Sequence, residues 1–175
     1  MVHPYDETTK ELEVIYEGKD VDVLHRKDLD SIDVRRMLQI GNYDRIILLG
    51  HGSEDGLFNK KNNLYVFTRE LYRDYIEHKD IEVIAIWCHA NEFFIKEGEP
   101  ENVFATGMFI SEVGEAGAYF INESEQVIKK QFKLFSDVMS VAAYLPMNEI
   151  RDYVSKNYIG KDKVTKFNRE SMMMD

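Results

Sequence analysis

The stretch Arg45-Ile-Ile-Leu-Leu-Gly-His51-Gly52-Ser53 has a counterpart downstream, Ile81-Glu-Val-Ile-Ala-Ile-Trp-Cys88-His89. Each is a short apolar run that ends abruptly in a chemically useful side chain. Runs this short, rich in Ile, Leu and Val, suit strands of a parallel sheet buried on both faces. In open α/β sheets, ligands bind outside the carboxyl ends of such strands. A histidine at one end and the chain's single cysteine at the other therefore form a candidate nucleophile–base pair. Their separation, 88 − 51 = 37 residues, fits one strand–loop–helix–strand step and predicts two strand ends side by side on one rim.

The flanking sequence supports alternation of strands and helices. Leu57-Phe58 and Leu64 to Phe67 surround Asn59-Lys-Lys-Asn-Asn63, which reads as a hairpin. Thr68, followed by Glu70, opens a helix with Leu71, Tyr72, Tyr75 and Ile76 as its apolar stripe. Upstream, Ser31 reads as the cap of a helix carrying Val34, Met37 and Leu38, which Gly41-Asn42 ends. Residues 11–17 alternate between apolar and acidic side chains and predict a wet-faced strand, with residues 21–25 as its partner.

Downstream of the cysteine, residues 91–95 read as a helical turn and 96–102 as a loop. Residues 103–110 predict a third parallel strand, and 118–121 fit helix or strand equally. Ile128, Phe132, Phe135, Val138, Met139 and Ala142 share one face of a helix spanning about 124–143. After Pro146, residues 150–158 predict a short helix, 163–169 an edge strand, and 171–175 a frayed tail. The expected fold is an α/β three-layer sandwich with a mainly parallel central sheet, formed by residues 1–175 as one domain.

Bulk properties narrow the function. Lys and Arg total 22 against 32 Asp and Glu, a formal net charge of −10. That argues against nucleic acid and against an anionic membrane surface as partners. A lone cysteine cannot close an internal disulfide, which points to a reducing, cytoplasmic setting. No apolar run reaches the roughly 20 residues of a membrane span, and the N-terminus lacks a secretory signal pattern. Neither a Gly-x-Ser-x-Gly elbow nor a phosphate-loop glycine pattern is present. No cofactor is implied.

Gly50-His51-Gly52-Ser53 after an apolar strand, with Cys88 closing the next apolar strand, resembles the caspase–gingipain–separase superfamily of cysteine peptidases. The resemblance covers roughly residues 43–110. It implies a caspase-like fold, with Cys88 as nucleophile, His51 as catalytic histidine and the Gly52 amide in the oxyanion hole, acting on a peptide or protein substrate. Ser53, Glu54 and Asp55, together with Glu112 and Glu115, are candidate substrate contacts whose carboxylates would attract a basic side chain. Trp87 stands where that superfamily usually has a small residue. This motivates an alternative: a catalytically inactive binding or regulatory module of the same fold. A zinc site formed by Cys88, His89 and His51 is a weaker option, because neighbours on a strand point to opposite faces.

Overall fold

The structure, a computed structural model, describes residues 1–172. In chain order it contains a 3-10 helix (Glu7–Ile15), α1 (Ser31–Ile40), β1 (Arg45–Leu49), β2 (His51–Ser53), β3 (Gly56–Asn59), β4 (Leu64–Thr68), α2 (Arg69–Tyr75), β5 (Glu82–Ile86) and α3 (Ala90–Ile95). There follow β6 (Val103–Ala105), α4 (Val113–Ala118), α5 (Glu125–Ala142), α6 (Met147–Asn157) and α7 (Lys163–Met172).

The fold is α/β. A three-stranded parallel sheet has the order β1-β5-β6, and a separate antiparallel sheet has the order β2-β3-β4. Strand side chains alternate between faces, so Ile46, Leu48, Val83 and Ala85 enter one core, and Ile47, Leu49, Ile84 and Ile86 enter another. The first core takes Val34 and Leu38 of α1, Leu71 and Tyr72 of α2, and Phe93 of α3. The second takes Leu12 and Ile15 of the 3-10 helix, Phe132, Phe135 and Met139 of α5, and Ile150 and Val154 of α6. Burial on both faces explains why β1 from Ile46 and β5 from Val83 read as unbroken apolar runs.

Several helix boundaries follow from their caps. Asp30, one residue before the expected Ser31, caps α1 through the Ile32 and Asp33 amides, and Asp33 completes a capping box. The Thr68 side chain accepts from the Leu71 amide, and Ser124 accepts from the Val127 amide.

Several sequence expectations need correction. Residues 11–17 do not form a strand. Asp6 caps the 3-10 helix from Glu7 to Ile15, which buries Thr9, Leu12 and Ile15. Those residues recur every third position, matching a 3-10 turn, and this spacing outweighs the period-two pattern. Residues 21–25 therefore lack that partner, and Leu24 bridges Val2 instead. Val2 also bridges Leu48 of β1, with its amide on the Ile47 carbonyl and its carbonyl accepting from Leu49.

The third parallel strand stops at Ala105, because Thr106 turns its hydroxyl onto the backbone of Trp87. Residues 163–169 form most of α7 rather than an edge strand. Asp162 accepts from the Thr165 amide, and Val164, Thr165, Asn168 and Met172 bury one helical face. The segment 118–121 ends α4 and turns, with Phe120 exposed at φ 55°. Of the tail expected to fray, Ser171 and Met172 belong to α7, and 173–175 lie outside the described residues. Among the described residues, no helix is long and apolar enough to cross a membrane.

Candidate active site at two adjacent strand ends

The parallel register pairs Arg45 with Glu82 and, at the far end, Leu49 with Ile86. His51 and Cys88 each lie two residues beyond that last pair. The Gly50 amide donates to the Ile86 carbonyl at 3.0 Å and carries the ladder one step further. Gly50 has φ 138°, a conformation open to glycine and strained for other residues, and there the chain leaves β1 for β2. The two strand ends thus share one rim, as the spacing of the two runs predicts.

Cys88 is fixed from both sides. Its predecessor Trp87 donates its amide to Thr106 Oγ1 at 3.2 Å, and Thr106 Oγ1 donates to the Trp87 carbonyl at 2.9 Å. The amide of His89 donates to the Gly107 carbonyl at 3.1 Å. His89 itself adopts the left-handed conformation at φ 66°, and its Nδ1 lies 2.7 Å from Glu92 Oε1. The Cys88 amide donates to no acceptor among the described residues. Cys88 Sγ lies 3.4 Å from the Phe109 carbonyl and 3.7 Å from Glu115 Oε1. Burial, followed by the Glu115 carboxylate, pushes the thiol up to about 12. The thiol is accordingly neutral at physiological pH.

His51 Nε2 lies 2.8 Å from Thr8 Oγ1, 3.5 Å from Asp6 Oδ1 and 3.8 Å from Glu112 Oε1. No hydrogen bond joins His51 to Cys88 among the described residues. Their environments meet at Glu112, which lies beside His51 and whose charge helps raise the Cys88 thiol. Lys60, at the hairpin tip between β3 and β4, places Nζ 3.3 Å from the same Glu112 oxygen.

Gly52 stands opposite Leu57 in the β2–β3 ladder. A Cβ there would lie 2.0 Å from Trp87 Cδ1 and 2.7 Å from the Gly56 carbonyl oxygen. The Trp87 indole therefore rests directly on Gly52, and its Nε1 donates to the Ser53 carbonyl at 3.0 Å. The other expected substrate contacts are engaged within the chain. Ser53 Oγ pairs with the Tyr65 hydroxyl at 2.9 Å, Glu54 with Lys96, and Asp55 with Arg69 at 3.4 Å. Among them, only Glu112 contacts His51.

The structure adds residues that sequence reasoning missed. Asp6 and Thr8 reach His51 from the N-terminal 3-10 helix, 43 residues away in the case of Thr8. Their sequence signal, Asp6 two residues before Thr8, indicates only a helix cap. Thr106-Gly107 is a third strand end, and its polar residue was the available signal. Glu115, expected only as a substrate contact, instead holds the start of α4 by accepting from the Ser111 and Glu112 amides, which aims its other oxygen at Cys88. Among the described residues, no three His, Cys, Asp or Glu side chains are placed to hold a metal ion. The chain matches no protein-family model, no curated protein and no solved structure.

Proposed function

We propose that the chain is a small cysteine peptidase with a caspase-like, three-layer arrangement, cleaving peptide or protein substrates in the cytoplasm through Cys88 and His51. The observation that carries this reading is the register: His51 and Cys88 follow adjacent parallel strands at matched positions, beside an amide with no acceptor among the described residues. In this reading the neutral thiol gives its proton to His51 as Sγ attacks the peptide carbonyl. The amides of Cys88 and Gly52 hold the developing oxyanion. His51 then passes the proton to the amine as the C–N bond breaks, and water hydrolyses the thioester. Glu112 favours a basic substrate side chain, for which the Lys60 ammonium now stands.

A second reading is an inactive binding or regulatory module of the same fold. The neutral, carboxylate-flanked thiol favours it, because the thiolate is the nucleophile. Incubation with a mixed peptide library, read by mass spectrometry, separates the two. The peptidase reading expects cleavage products that disappear in Cys88→Ala. Products that persist in Cys88→Ala, or none from folded wild-type protein, overturn it.

A further inference from the structure

We propose that Asp6 and Thr8 are positioning residues that fix His51 in one tautomer, with the proton on Nε2 and the lone pair of Nδ1 left for proton transfer. The Thr8 hydroxyl has one hydrogen to give, and it lies against Asp6 Oδ1, which also accepts from the Thr8 amide at 2.8 Å. A carboxylate only accepts, so the Thr8 hydrogen goes to Asp6. Thr8 Oγ1 must then accept at its 2.8 Å contact with His51 Nε2. The hydrogen is therefore on Nε2, and Nδ1 carries the lone pair of the neutral ring. No hydrogen bond engages Nδ1 among the described residues.

The carboxylate is suited to this chain. Burial pushes Asp6 up, but the hydrogen bonds from the Thr8 side chain and amide and the nearby His51 outweigh it, and the carboxyl sits below its ordinary value. When His51 takes a proton, the ring is cationic with Asp6 Oδ1 3.5 Å from Nε2. Thr8 and Asp6 thus do two things for a base: they orient the ring before proton transfer and stabilise the cation after it. The N-terminal helix becomes part of the site, although it precedes His51 by more than a whole helix and strand.

The catalytic role rests on the peptidase reading; the tautomer does not. The first measurement is therefore made without substrate, by long-range 1H–15N correlation of the histidine rings at pH 8. Wild-type protein is expected to show His51 with protonated Nε2 and unprotonated Nδ1. Thr8→Val should mix the tautomers, and Thr8→Ser, which keeps the hydroxyl, should restore the wild-type pattern. Backbone 1H–15N spectra confirm that each variant is folded. A wild-type ring protonated on Nδ1, or a pattern unmoved by Thr8→Val, overturns the proposal. If the protein also labels with peptidyl electrophiles, Thr8→Val should slow labelling about 10–100-fold, with Thr8→Ser near wild type. The expected tautomer pattern in a protein that never labels would support the placement of Asp6 and Thr8 while the peptidase reading fails.

Discussion

Replacing Trp87 with alanine is expected to destabilise the protein by about 3–5 kcal/mol, the range for truncating a large buried aromatic. Trp87 is 2% exposed and stacks edge-on to Phe93 at 5.7 Å between ring centroids. Its loss leaves a cavity between β2 and α3 and removes the hydrogen bond that Nε1 donates to the Ser53 carbonyl.

Gly52→Ala probes the same contact from the other side. The added methyl would sit 2.0 Å from Cδ1 and 2.4 Å from Cγ of the indole, which has no room to retreat. A cost of about 1–3 kcal/mol or more is expected. The two substitutions should not add, because Trp87→Ala removes the two closest clashing atoms, after which the nearest is the Gly56 oxygen at 2.7 Å. Urea denaturation of the two single variants and the double variant measures this coupling. A Gly52→Ala protein within about 0.5 kcal/mol of wild type would mean that the indole does not sit where it is described.

Acid is expected to unfold the protein through His3. This side chain is fully buried, with Nδ1 3.0 Å from the Tyr16 hydroxyl and Nε2 3.0 Å from Thr9 Oγ1. Thr9 donates to the Asp6 carbonyl, so it accepts from Nε2, and Tyr16 donates to Nδ1. Both ring nitrogens are satisfied only while the ring is neutral. Burial, followed by the neighbouring His25 and His51, depresses His3 from 6.5 to about 3. Because the folded value lies below the unfolded one, the stabilisation is complete above about pH 6.5 and is lost as pH falls toward 3.

Each pH unit in that window is worth about 1.4 kcal/mol, so the loss from His3 reaches about 3 kcal/mol by pH 4 and about 5 by pH 3. Comparing denaturation of wild type and His3→Gln at pH 7 and pH 4 tests this. The variant is less stable at pH 7 and should lose about 3 kcal/mol less on acidification. An identical pH dependence in the two proteins would contradict the buried, neutral histidine. The same region carries the contacts of Asp6 and Thr8 to His51, so acid should loosen the site before the rest of the fold.

The centre of this fold was legible because its strands are buried on both faces. Residues 46–49 and 83–86 had to be apolar throughout, and each run ends where its chemistry begins. The long helix Glu125–Ala142 was legible for the same kind of reason, since one wide apolar face repeats over 18 residues. Short elements at the periphery were not. Residues 11–17 satisfy period two and period three together, and the burial of Leu12 and Ile15 against α5 decided between them. Residues 163–169 are rich in neither strand nor helix signals, and the Asp162 cap tipped them to helix.

Site residues divide the same way. His51 and Cys88 stand out because they interrupt apolar runs. Asp6, Thr8, Thr106 and Glu115 act through contacts across 19 to 45 residues of chain, and their own neighbourhoods mark only a helix cap, a strand end and an acidic loop. Trp87 packs directly on Gly52, which gives its size at the strand end a structural reason.

The central claim is that Cys88 and His51 act together. Its most direct test is intact-mass analysis after incubation with peptidyl acyloxymethyl ketones bearing Arg, Lys, Asp or Asn next to the reactive group. A single adduct is expected, strongest with a basic side chain, absent in Cys88→Ala and strongly slowed in His51→Ala. No adduct from folded wild-type protein, or labelling of Cys88 at an unchanged rate in His51→Ala, would contradict it.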